Sequence, residues 1–215
     1  MSGRARVAVT GSVLVAAFVL LGVLVHAGHG GVDAAVEDLV GTRWTGPLGR
    51  AAELAGAVLG PVLPTLLGVV LLAGAALLWR RGEHRTAGLL IRVAVVLAVC
   101  RATSVVFKPV FDRQRPRVYP EASFPSGHVV SVAGAGFALV VLCAWLAPRL
   151  LRRMVALAVV ATALAAAARI ALGVHWLTDT IGAVLAVIGF GLLTCAGLGL
   201  LPAGRDRVSV GPRDD

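Results

Sequence analysis

The 215-residue chain is poor in charge, in lysine and in cysteine. Charged residues make up 14% of it, where soluble domains average about 25%. Long stretches carry no charge at all, which excludes a disordered chain. With 58% hydrophobic residues and a mean hydropathy of +0.90, the composition also excludes a typical water-soluble enzyme. The three cysteines (Cys100, Cys143, Cys195) lie far apart inside apolar segments and without CxxC spacing. That excludes a disulfide scaffold and reads as buried core thiols. Lys108 is the single lysine. A net charge of +9 alone would suit a nucleic-acid partner, but the basic residues form short clusters between apolar runs. Membrane topology produces that placement, and no nucleic-acid partner is expected.

What is present is a set of six long apolar runs, near residues 7–25, 54–79, 87–107, 129–147, 154–172 and 180–201. Each is long enough to cross about 30 Å of hydrocarbon at about 1.5 Å per residue. The expectation is an all-α polytopic bundle, a single integral-membrane domain over residues 1–215. Arg4 and Arg6 precede the first run as in a signal peptide, but its length exceeds the usual apolar region of about 7–15 residues. It reads as a retained helix.

Six spans put Arg4, Arg6, Arg80, Arg81, Arg85, Arg149, Arg152, Arg153, Arg205, Arg207 and Arg213 on one side. The other side, with the 26–53, 101–128 and 169–179 connections, mixes 8 basic with 7 acidic residues. The positive-inside rule then predicts cytoplasmic termini in a plasma membrane and an outward-facing polar face.

Three stretches on that face carry chemistry. Lys108 to Pro116 reads Lys-Pro-Val-Phe-Asp-Arg-Gln-Arg-Pro. Its cations either snorkel to the interface or hold an anion, for which arginine forks and a lysine point charge are suited. Phe124-Pro125-Ser126-Gly127-His128 precedes the fourth run. Ser126 is placed to cap that helix, whose N-terminus offers free N–H groups to phosphate, and His128 can move a proton there. In the third stretch His175 and Asp179 stand four residues apart, which on a helix gives one shared face. A carboxylate so placed can hold one ring nitrogen protonated and leave the other as nucleophile. No further cluster completes a zinc site, so no metal is expected.

The other polar and aromatic residues receive blander readings. His26, His29 and His84 read as solvated loop histidines. Arg113 and Arg117 extend the electropositive mouth or meet headgroups, offset by Asp112 and Glu121. Trp44, Trp79, Trp145 and Trp176 fall near span ends, as aromatic-belt anchors do.

Together the stretches resemble the type 2 phosphatidic acid phosphatase superfamily, with its pattern Lys-x6-Arg-Pro, Pro-Ser-Gly-His and Ser-Arg-x5-His-x3-Asp. Lys108, Arg115 and Pro116 match the first element, Pro125 to His128 the second, and Arg169, His175 and Asp179 the third. Ala168 stands where the family usually has Ser, which removes a hydroxyl beside Arg169. The resemblance implies a lipid phosphatase without a cofactor. In it Lys108, Arg115, Ser126, Gly127 and Arg169 hold phosphate, His175 attacks phosphorus, His128 protonates the leaving oxygen and Asp179 orients His175. Undecaprenyl diphosphate is the favoured substrate, ahead of phosphatidylglycerol phosphate and phosphatidic acid. A vanadium haloperoxidase shares the residue pattern but resembles a soluble bundle. A non-catalytic lipid-binding or transport protein is the alternative from another class, although transport sites usually lie at the bilayer midplane.

Overall fold

A computed structural model describes residues 2–28, 30–41, 45–60, 62–118 and 120–201. The order is α1 (Gly3–Val25), α2 (Gly31–Val40), α3 (Pro47–Leu59), α4 (Val62–Arg80), α5 (His84–Phe111), α6 (Gly127–Leu146), α7 (Leu151–Ala171) and α8 (Leu177–Gly197). Helices α1, α4, α5, α6, α7 and α8 are long and apolar enough to cross a membrane. They correspond to the six expected spans, and the chain is an all-helical multi-pass membrane protein. Trp44, His29 and the tail arginines Arg205, Arg207 and Arg213 lie outside the described residues.

Several boundaries differ from expectation in ways that matter. The 26–53 connection is not a plain loop, because it folds into α2 and most of α3. The second span starts at Val62 rather than 54, since Leu54 belongs to α3, which ends at the Gly60 cap. An unbroken apolar run concealed the change of direction. At the site end, α5 continues to Phe111, so Lys108 sits in its last turn. Likewise α8 starts at Leu177 and takes Asp179 into its first turn.

Helices α5, α6 and α8 form the centre of the bundle. About half of α6 and α8 is buried (50% each), against 11% of α7. Helices α1, α4 and α7 turn residues such as Val13, Leu72 and Val159 outward, as lipid-facing helices do. Val93, Val96 and Cys100 of α5, Val129 and Val130 of α6 and Val187 of α8 make the main core. All three thiols are buried and unpaired, as expected.

Lipid tails are as apolar as leucine, so close packing rather than exclusion from water holds such helices together. Gly11 of α1 and Gly189 of α8 allow that contact. A methyl group on Gly189 would lie 2.9 Å from Val15 Cγ2 and 3.0 Å from the Val15 backbone nitrogen. Nearer the site end, Phe18 is fully buried among phenylalanines. It stacks on Phe124 at 5.4 Å and meets Phe107 and Phe111 edge-on at 4.9 and 5.8 Å. Phe124 is two residues before Ser126, so this cluster anchors the segment that starts α6.

Alternation of the spans gathers Lys108, Ser126, His128, Arg169, His175 and Asp179 at one end of the bundle. Arg4, Arg6, Arg80, Arg81, Arg85, Arg149, Arg152 and Arg153 lie at the other. Trp79 and Trp145 are exposed near helix ends, as interfacial anchors are.

Gly189→Ala is expected to push α1 off α8 and destabilise the bundle by about 1–3 kcal/mol, the usual effect of overpacking. A lowered unfolding midpoint in detergent checks this.

Candidate active site

The N-terminus of α8 organises the site. Asp179 is fully buried, and its Oδ2 accepts the Trp176 backbone N–H at 2.9 Å. The same oxygen lies 3.2 Å from His175 Nδ1. His175 is not on the helix, as its spacing to Asp179 suggested. It stands just before the Trp176 cap, and the carboxylate in the first helical turn reaches back to it. A carboxylate also suits the positive end of the helix dipole.

The tautomer follows from the other nitrogen. Arg115 Nη1 lies 3.1 Å from His175 Nε2, and a guanidinium only donates. Nε2 therefore accepts, and Nδ1 carries the hydrogen that points to Asp179. Burial is the main cause that lowers the His175 pKa, to about 4; Asp179 raises it, and Arg115 and Arg169 add to the lowering. The ring is neutral at pH 7, with a lone pair turned toward the cations.

Those cations converge from two helices and one loop. Lys108 in the last turn of α5 pairs with Glu121 at 2.5 Å. Hydrogen bonding and charge from Lys108 hold the Glu121 carboxyl below its ordinary range, with smaller contributions from Arg115 and Arg101. Arg115 also donates to the carbonyls of Glu121, Ala122 and Val174. Arg169 is buried in the last turn of α7. Arg101, two turns before Lys108 on α5, forms no ion pair among the described residues and donates to Ser104 Oγ at 2.6 Å. A methyl on Gly127 would lie 3.7 Å from that hydroxyl and 3.9 Å from Lys108 Nζ. Arg101 and Lys108 thus both approach the start of α6. Arg101 belongs to none of the three motif stretches, although a cation inside a span was a usable signal.

Ser126 takes the expected cap position, but its side chain does not cap the helix. Its fully buried Oγ has no hydrogen-bond partner among the described residues. Its N–H donates to the Asp179 carbonyl at 3.2 Å, which ties the second stretch to the third. His128 follows in the first turn of α6. Helix α3 lies against it: a methyl on Gly60 would sit 2.8 Å from His128 Nε2, and one on Gly56 would sit 3.0 Å from Arg169 Nη1. Beside them opens a cavity of about 490 Å³ with apolar walls from Ala52, Val132, Leu164 and Ala165, and with His128 and Arg169 in its lining. Ala168 lines it too.

Two expectations are corrected by this geometry. Arg113 neither extends the mouth nor meets headgroups; it is 1% exposed and pairs with Asp179 at 2.6 Å and Asp33 at 2.7 Å. Trp176 is no belt anchor. It is buried, donates from Nε1 to the Gln114 carbonyl at 2.8 Å, and carries the Arg113 guanidinium 5.5 Å from its ring centroid. Asp33 of α2, which no motif marks, is 2% exposed at this site.

A histidine-selective NMR titration in detergent is expected to place the His175 midpoint near pH 4. Asp179→Asn removes the negative charge that raises it, so the midpoint moves lower. Between this value and the ordinary one of about 6.5, the unfolded chain binds a proton that the folded chain does not. Stability from this group is therefore complete above about pH 6.5 and falls as the pH drops toward 4.

No curated protein matches this sequence. The fold is similar to a crystal structure described as the first transmembrane PAP2 type phosphatidylglycerolphosphate phosphatase from Bacillus subtilis. The TM-score is 0.67 at 22% identity, over 87% of this chain and 94% of that one. The family model of the PAP2 superfamily matches residues 89–199, more than half of the sequence. That stretch contains every motif position from Lys108 to Asp179, and the chain belongs to the PAP2 superfamily.

Proposed function

We propose that this protein is a lipid phosphatase that cleaves a phosphate ester or diphosphate through a phosphohistidine, without a metal. The observation that carries this reading is the state of His175: Nδ1–H directed at a buried carboxylate and Nε2 unprotonated among cations. The substrate's phosphate takes over Lys108 from Glu121 and Arg115 from His175, and Arg169, the Ser126 hydroxyl and the Gly127 N–H complete its cradle. Arginine forks and a helix N-terminus are suited to those oxygens.

His175 Nε2 then forms a bond to phosphorus as the bond to the leaving oxygen breaks. His128 delivers the proton that this oxygen needs. In the second step water attacks the phosphohistidine, His128 takes the water's proton, and inorganic phosphate leaves as His175 is restored. Asp179 holds the ring through both steps. The apolar cavity beside His128 supports this assignment, because in-line attack puts the leaving group opposite His175. The lipid chain carried by that group, an alcohol from a phosphate ester or a lipid monophosphate from a diphosphate, suits the apolar walls.

Donor chemistry supports a metal-free reaction. The charge of the phosphate is met by Lys108, Arg101, Arg115 and Arg169, while the buried carboxylates Asp33 and Asp179 are engaged by Arg113. Arg101 favours a diphosphate. It lies deeper along α5 than Lys108, on the lipid side, where the second phosphate of a diphosphate lipid would sit. Undecaprenyl diphosphate, processed at the outer face of the plasma membrane, is our preferred substrate. The arginine-rich opposite end of the bundle supports cytoplasmic termini, with the chain acting as one domain.

Purified protein in detergent with EDTA is expected to release phosphate from undecaprenyl diphosphate. His175→Ala lowers the rate by about a thousandfold or more, the scale set by loss of a nucleophile. Arg101→Gln lowers kcat/KM for the diphosphate by about tenfold or more, with less effect on phosphatidic acid, as loss of a charge-assisted contact implies. Inhibition by EDTA contradicts the metal-free route, and full activity of His175→Ala contradicts the reading as a whole.

A further inference from the structure

Asp179 has two oxygens and four donors. Oδ2 serves His175 and the Trp176 N–H. Oδ1 serves Arg113 Nη1 at 2.6 Å and Ser123 Oγ at 3.4 Å. Occupation of Oδ1 by a guanidinium stops the carboxylate from rotating, so Oδ2 stays turned to His175. Arg113 is in turn held from its far side. Its Nη2 donates to Asp33 Oδ2 at 2.7 Å and to the Gly28 carbonyl at 3.2 Å, and Nη1 also donates to Thr178 Oγ1 at 2.7 Å.

Asp33 closes the network on α8 itself. Its Oδ1 accepts the Thr178 N–H at 3.0 Å and its Oδ2 accepts the Thr178 hydroxyl at 2.6 Å. An N–H in the first turn of α8, which has no partner within its own helix, is thus capped by a carboxylate 145 residues away. Two buried carboxylates share one guanidinium at the positive end of the helix dipole. Neither is tolerable in an apolar setting without that cation.

We propose that Asp33 and Arg113 are positioning residues for the reaction, acting through Asp179 to hold His175 in its attacking tautomer and orientation. The inference rests on His175 being the nucleophile. It gives α2 a purpose: the first outer connection is a brace for the catalytic end of α8. Asn at position 33 cannot replace Asp. One of its two side-chain atoms becomes a donor, which then faces either the Thr178 N–H or Arg113 Nη2, donors themselves. Lys at position 113 keeps the charge but cannot reach both carboxylates.

The test uses the full chain in detergent with Asp33→Asn, Arg113→Lys and the milder Thr178→Val. Thermal melts identify the variants that fold. In these, kcat for phosphate release from undecaprenyl diphosphate is expected to fall about 10- to 100-fold, the usual effect of removing a supporting hydrogen-bond partner. KM stays within about threefold, since phosphate contacts are untouched. Adding Asp33→Asn to Asp179→Asn brings no further loss, because both act on one path. With inorganic phosphate bound, which draws Arg115 away from Nε2, nitrogen-15 spectra of His175 show a single Nδ1–H tautomer in the parent and a mixture in the variants. Unchanged kcat in folded variants overturns the proposal, and so does an additive double variant or a retained single tautomer. If the parent releases no phosphate from any lipid, the functional reading fails while the nitrogen-15 measurement still decides the brace.

Discussion

The structure turns on one buried carboxylate. Asp179 sits in the first turn of α8, where the helix dipole favours an anion, and it gathers partners from the connections after α5 and after α7. His175 and the Trp176 N–H come from the connection after α7, Arg113 and Ser123 from the connection after α5. Its backbone carbonyl accepts the Ser126 N–H and so fixes where α6 begins. An ion this deeply buried persists only if it is paired and hydrogen-bonded. That requirement forces the two connections to meet at one place. Removing a single partner from such an arrangement typically costs about 3–5 kcal/mol.

The cations obey a complementary rule. Arg113 is consumed by two carboxylates and serves architecture. Arg115, Arg169, Lys108 and Arg101 surround the start of α6, where the carboxylate that pairs with Lys108 is the exposed Glu121. The site is thus divided into a neutralised inner part, which fixes geometry, and an electropositive outer part, which suits an anion. His175 bridges the two, with Nδ1 facing the first and Nε2 the second.

The six spans were legible because an apolar run of membrane length is rarely anything but a span. The motif residues were legible because their types and spacings are unusual for lipid-exposed sequence. Asp33, Arg113 and Trp176 were not. Arg113 and Arg117 look alike in sequence, four residues apart in one basic loop, and only the fold turns the first inward. Asp33 meets Thr178 across 145 residues, a pairing with no local signature. Trp176 lies near a span end like Trp79, so position alone could not separate a buried wall of the site from an interfacial anchor. Helix α3 was hidden because its apolar residues run directly into those of α4, and only the break at Gly60 divides them.

The proposed route requires His175 to become covalently phosphorylated. Rapid mixing of the protein with a lipid diphosphate, quenching in alkali and mass spectrometry of the peptides tests it most directly. The predicted result is a phosphoryl group on the His175 peptide that forms within one turnover, is lost in acid, and is absent from His175→Ala. Turnover with no adduct on His175, or with the adduct on another residue, would contradict it.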